Sequence, residues 1–273
     1  MKKITHIIIW ALAFISSAAL AQTKEVRNVD KFTKITSTVS GNIYLKQGSP
    51  QKVELEGKAD ILADIETEVS RGKLTIRKKG SGYSWGWHKE NPLNVYITVE
   101  NIEALNMSGS GNLVGQTKFT GNNVDLTVSG SGALQAEMEL TGAVDVDLSG
   151  SGDINLKGKF QNLKNEVSGS GDVVLSVIVA NQVDFDISGS GKIKASGTAQ
   201  NVKASISGSG NLYATNLVTD KYRVHISGSG DAAIDVNGDL DAGTSGSGDV
   251  TYRGNPSHVI THNSGSGSVR KIE

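Results

Sequence analysis

Three carboxylates, Asp147, Glu166 and Asp186, recur at intervals of 19 and 20 residues inside runs that alternate apolar and polar side chains. Brought side by side, they would suit a calcium ion, which takes several oxygen ligands. Carboxylates roughly 5 to 9 Å apart also serve glycoside hydrolysis. Asp145 and Asp184 flank them, with Lys164 between, so a solvated acidic wall is the competing expectation. A second group falls in GSGYSWGWHKENP at 80–92, where Tyr83, Trp85, Trp87 and His88 crowd one glycine-rich stretch of a chain with only 5% aromatic residues. Such a cluster can stack on sugar rings or anchor a protein partner. It can equally cover an exposed end of a β-core. Four histidines outside the leader, His88, His225, His258 and His262, lack metal-ligand spacing, and the i, i+4 pair His258 and His262 would serve zinc only on a helix. No nucleophile elbow, phosphate loop or dinucleotide fingerprint is present.

The elements that must position these groups announce themselves through a repeat. SGSG begins at residues 108, 129, 149, 168, 188, 207, 227, 245 and 264, a period of about 20 residues. Each unit reads as an alternating strand, four small residues and a second alternating strand, as in VDVDLSGSGDINLKG at 144–158. Side chains alternate faces along a strand, so Val144, Val146, Leu148, Gly150, Gly152, Ile154 and Leu156 share the inner face, while Ser149, Ser151 and Asp153 point out. One unit per turn of a parallel β-solenoid stacks like on like about 4.8 Å apart. Asp147, Glu166 and Asp186 then occupy one outward position on three consecutive coils. On this parity, valine at Gly150 or Gly189 is expected to cost far more than Ser149→Ala. A flexible-linker reading of SGSG conflicts with the aliphatic strand residues on both sides.

The termini and composition narrow the class. Residues 1–21, MKKITHIIIWALAFISSAALA, have a basic start, an apolar stretch and a small-x-small end, which reads as a signal peptide. Its removal takes the formal net charge from -1 to -3, leaving no electrostatic case for nucleic-acid binding. The absence of cysteine leaves packing and backbone hydrogen bonds to stabilise the fold. No second apolar run is long enough for a transmembrane helix. Residues 22–107 form an N-terminal β-region with strands such as KVELEG, KLTIRK and NVYITVE, and 108–273 the SGSG solenoid, with 22–273 readable as one continuous domain. Irregular echoes of the motif occur at Ser40-Gly41-Asn42 and Ser70-Arg71-Gly72.

The opening phrase of the exported chain, VRNVDKFTKITSTVSGNIYLKQGSPQKVELEGKADILADIETEVSRGKLTIRKK at 26–79, followed by the S-G-S-G units, resembles the auto-transporter adhesin head domain, or head GIN domain, of exported Bacteroidetes proteins. The resemblance implies an all-β fold of the right-handed parallel β-helix type and an adhesive role. No outer-membrane barrel follows the repeats, so self-transport is not expected. The leading functional expectation is an exported, non-catalytic binding module at the periplasm, cell surface or beyond, taking a glycan or cell-surface protein and needing no cofactor. The alternatives are a structural envelope protein that self-associates as a homo-oligomer and, further behind, a polysaccharide-active enzyme.

Overall fold

A computed structural model of the chain describes residues 23–80 and 93–272. Leader residues 1–21 and the cluster Tyr83, Trp85, Trp87 and His88 lie outside the described residues. The protein is nearly all β, a solenoid of about 8 turns with about 20 residues per coil. Each coil carries two runs of parallel pairing, one entering the SGSG corner and one leaving it. We call them the leading and trailing walls. From Asp153–Val167 to Ala232–Thr244 one long strand per coil runs through both walls, with register shifts such as that between Phe160 and Asn162.

The register realises the parity read from the sequence. Val128, Leu148, Val167, Ile187, Ile206 and Ile226 pair in succession down one inward column and are buried. Leu134, Ile154, Val173, Ile193 and Leu212 do the same on the trailing wall. Burying such a side chain contributes about 1.5–3 kcal/mol, and the parallel ladder repeats the gain at every coil. The first column runs on through Met107 and Ser37 to Ile76 at one end and through Thr244 to Asn263 at the other, and the Thr244 hydroxyl donates to the Gly248 carbonyl at 3.0 Å.

The SGSG corner shows why glycine is required there. The Gly130 carbonyl accepts from both the Ser151 and Gly152 amides at 3.1 Å, locking each corner onto the one before. A Cβ on Gly150 would stand 2.0 Å from the Gly130 oxygen, and one on Gly152 2.1 Å from the Gly132 oxygen. The obstacle is therefore the backbone of the preceding coil, along the stack, more than bulk inside the core. Both serines of the corner, Ser149 and Ser151, are exposed.

The N-terminal region is woven into the solenoid out of chain order. Strands Lys34–Ser37 and Asn42–Gln47 form a coil that slots between Lys73–Lys78 and Ala104–Met107 on one wall and between Asn94–Val99 and Asn112–Gly121 on the other. The echo at Ser40-Gly41-Asn42 is thus a true corner, with the Asn112 amide donating to the Gly41 carbonyl at 3.0 Å. Ser70-Arg71-Gly72 is different: Arg71 at φ 50° and Gly72 at φ 72° make the turn of an antiparallel hairpin. Left-handed conformation at two successive residues is what a tight hairpin demands. Antiparallel strands Ile65–Ser70, Lys52–Gly57 and Thr23–Arg27, with the short helix Ala59–Asp64 burying Leu62, close this end. At the opposite end, the exposed strand His258–Asn263 pairs with Ala232–Thr244 alone.

That last coil is paired through its backbone and also touches carboxylates of the preceding coil at its surface. The Lys221 ammonium, followed by His258, holds the Asp239 carboxyl below its usual value, while the Ser268 hydroxyl and amide, then Arg270, do so for Asp249. Carboxyls depressed in the folded state stabilise it above the unfolded value of about 3.9, and that contribution disappears as pH falls through the folded value. Amide protection over residues 250–272, relative to the intrinsic exchange rate at each pH, is therefore expected to fall below about pH 4 while strand Asp172–Ile187 stays protected. Uniform protection across both regions at pH 3 would contradict this.

Candidate binding wall

The outward face of the leading wall gathers most of the charged groups that face one another across coils. Asp125, Asp145, Lys164, Asp184, Lys203, Arg223 and Asp241 succeed one another in one column. In the adjacent column Asp147 pairs in register with Glu166 and Glu166 with Asp186. The strand parity fixes this arrangement, because the intervening residues, including Val146, Phe185 and Ala204, are the buried ones.

The acidic half is partly self-neutralised. Lys164 reaches along its own strand to an ion pair with Glu166, and that hydrogen bond and charge raise the ammonium pKa above its ordinary value. Loss of hydration, then the neighbouring Asp125 charge, raises the Asp145 carboxyl, with Lys164 opposing. Although Asp147, Glu166 and Asp186 share a column, the described residues contain no group of three or more His, Cys, Asp or Glu side chains placed to hold a metal ion. The wall carries its carboxylates side by side on one sheet. Glycoside hydrolysis instead needs two carboxyl groups flanking the bond from either side.

Three shallow depressions follow one another along this face, with volumes of about 270, 380 and 490 Å³. Lys164 lines the first and second, and Gln182 and Lys203 line the second and third, so the depressions adjoin along the wall. The third is the largest and contains a group that reading the acidic column alone overlooks: Lys203, Lys221 and Arg223, with Asp239, Asp241 and His258. The same two-residue count that aligned the carboxylates, carried two coils further, would have found it. His258 Nδ1 lies 3.1 Å from Asp239 Oδ1, and His262 Nε2 4.0 Å from Asp241 Oδ1. As the two histidines sit on a strand, four residues separate them by about 13 Å, which excludes a shared zinc ion.

Two described residues that flank the aromatic segment, Ile76 and Leu93, bond to the neighbouring coil. The Thr38 amide donates to the Ile76 carbonyl and the Asn42 amide to the Leu93 carbonyl, at 3.0 and 2.8 Å.

In-register pairing of about 20-residue coils defines a parallel β-solenoid repeat protein. The chain belongs to the family described as "Putative auto-transporter adhesin, head GIN domain", whose profile matches residues 31–176 and 161–256. Solved structures share the fold. One described as a "putative adhesin" from Parabacteroides merdae is 18% identical with a TM-score of 0.68, covering 92% of this chain and 96% of that one. Two from Parabacteroides distasonis, described as a "putative lipid binding protein" and a "putative adhesin", are each 21% identical, with TM-scores of 0.65 and 0.63 and coverage of 92% of this chain and 97% of theirs. No curated protein matches the sequence. Among the described residues, no helix is long and apolar enough to cross a membrane.

Proposed function

We propose that the chain is an exported, non-catalytic, adhesin-like binding module of the cell envelope that engages a glycan or a surface protein along its leading wall. The observation that carries this reading is the row of adjoining depressions from Asp125 to Ile260, whose charged and amide side chains are held in register by the parallel ladder. Family membership supports the adhesive role, and the leader at 1–21 supports export. Long, regular walls suit recognition of extended ligands because their side chains are already ordered, which lowers the entropy cost of binding. Tyr83, Trp85, Trp87 and His88 supply a second contact in this proposal. The test is a glycan-array and cell-surface binding screen of labelled protein beside a Trp85→Ala/Trp87→Ala variant. Reproducible binding is expected, and its loss in the variant with unchanged melting assigns the aromatic segment to the ligand. Silence on both arrays and cells would remove the reading.

The unpaired edge of His258–Asn263, where Val259 is 44% and Ile260 55% exposed, favours a second role in self-association. Light scattering that reports a monomer at high protein concentration would dismiss it.

A further inference from the structure

We propose that the third depression of the leading wall is a recognition site for an acidic sugar, taking its carboxylate or sulfate group at Lys203 and Arg223. The inference rests on the glycan form of the proposed function and narrows it to one end of the wall. Register places Lys203 directly beside Arg223, and Asn201 directly beside Lys221, on consecutive coils. Three cations thus stand on two strands about 4.8 Å apart, an arrangement that repels itself unless anions compensate.

Compensation is uneven. Lys221 pairs with Asp239 at 3.1 Å and Arg223 Nε with Asp241 at 3.0 Å, both partners lying one coil further along. Lys203 makes no ion pair among the described residues. Its register neighbour on the other side, Asp184, accepts from Gln182 Nε2 at both oxygens, at 2.8 and 2.9 Å. Lys203 therefore keeps an ammonium with no direct ion pair among the described residues, beside the Asn201 and Gln182 amides, with the Asp184 charge as its register neighbour.

The chemistry of the surroundings fits a sugar acid. Because Asp241 engages Arg223 through Nε, the two terminal nitrogens remain to bind a carboxylate in the paired geometry that guanidinium favours. Asn201, Gln182 and His258 offer hydroxyl partners, and exposed Ile260 offers an apolar surface for a pyranose face. A volume of about 490 Å³ falls within the range of small-ligand sites, enough for one or two sugar residues. The acidic half of the wall, with Asp125, Asp145 and Asp147, repels further anions. The favoured ligand is thus a largely neutral glycan bearing an isolated acid, not a polyanion.

The test titrates full-length protein, expressed with its own leader, with three oligosaccharides alike except for a terminal glucuronate, sulfated glucose or glucose. The acidic probes are expected to bind at least about tenfold more tightly than the neutral one, a preference that fades at high salt. Lys203→Gln and Arg223→Gln should each erase that preference while leaving the melting temperature within about 2 °C. Asp147→Asn, in the acidic half, should leave it intact. Whichever acidic probe binds better tells carboxylated from sulfated glycans. Equal affinity for the neutral probe, or an undiminished preference in Lys203→Gln, overturns the inference and leaves the broader binding role standing. Failure of all three probes, with array and cell binding retained elsewhere, overturns the acidic site alone. Failure on every surface removes both.

Discussion

Gly150→Val is expected to destabilise the protein by about 3 kcal/mol or more, lowering the melting temperature by roughly 6–12 °C, whereas Ser149→Ala stays within about 0.5 kcal/mol. The contrast is sharp because the two residues are neighbours in sequence. Gly150 is not in the left-handed region, so its backbone would accept a side chain. What forbids one is distance: a Cβ would lie 2.0 Å from the Gly130 oxygen and 2.9 Å from its carbonyl carbon and from the Ser129 oxygen. These are backbone atoms, and the Gly130 oxygen is already bonded to two amides of the next coil, so they cannot turn aside. Relief requires the coils to part, which breaks the hydrogen bonds across the corner. The Ser149 hydroxyl points to solvent, and the backbone bond from its amide to the Val128 carbonyl survives the change to alanine. Thermal melts followed by circular dichroism decide the matter: shifts of similar size for the two variants would show that the coils tolerate separation.

The second large effect belongs to the core. Phe185→Ala is expected to cost about 3–5 kcal/mol. In its column Phe185 stands between Asn165 and Ala204, a bulky ring filling the space that two smaller neighbours leave. Asn165 is fully buried, donates through Nδ2 to the Val146 carbonyl at 3.1 Å and leaves Oδ1 without a partner, so the ring also walls off a polar atom. Neighbouring coils cannot collapse into the vacated volume, because the Ser188 and Ser207 amides tie them to the Val167 and Ile187 carbonyls at 2.9 and 2.8 Å. Phe185→Leu, which keeps most of the volume, should cost about 1 kcal/mol. Denaturant titration of the pair measures both, and a Phe185→Ala cost below 1 kcal/mol would mean the column can close after all.

Much of this was legible beforehand because a strand has a period of two and the repeat a period near 20. Together they assigned Val144, Val146 and Leu148 to the core and stacked Asp147, Glu166 and Asp186. They could not reveal that the glycines guard the contact between coils, since alternation reports which face a residue occupies and nothing about the stacking direction. Nor could they place Lys34–Gln47, whose neighbours lie up to 70 residues away and share no repeated motif with it beyond Ser40-Gly41. The basic cluster at Lys203 escaped for another reason. Its residues change type from coil to coil, so no recurrent letter marks the column.

The displaced coil also constrains the order of assembly. Contacts within the repeats span about one period, but Asn42 reaches Asn112 across 70 residues. Closing longer loops costs more chain entropy, and non-local strand pairing slows folding. A chain emerging from a ribosome or a translocation pore presents Lys34–Gln47 before the strands that flank it. That segment nevertheless has no seat until Lys73–Lys78 and Ala104–Met107 are both available to flank it. The earliest strands to appear are thus among the last to settle, and a chaperone that shields them in transit would act on the segment around Ile35 and Ile43.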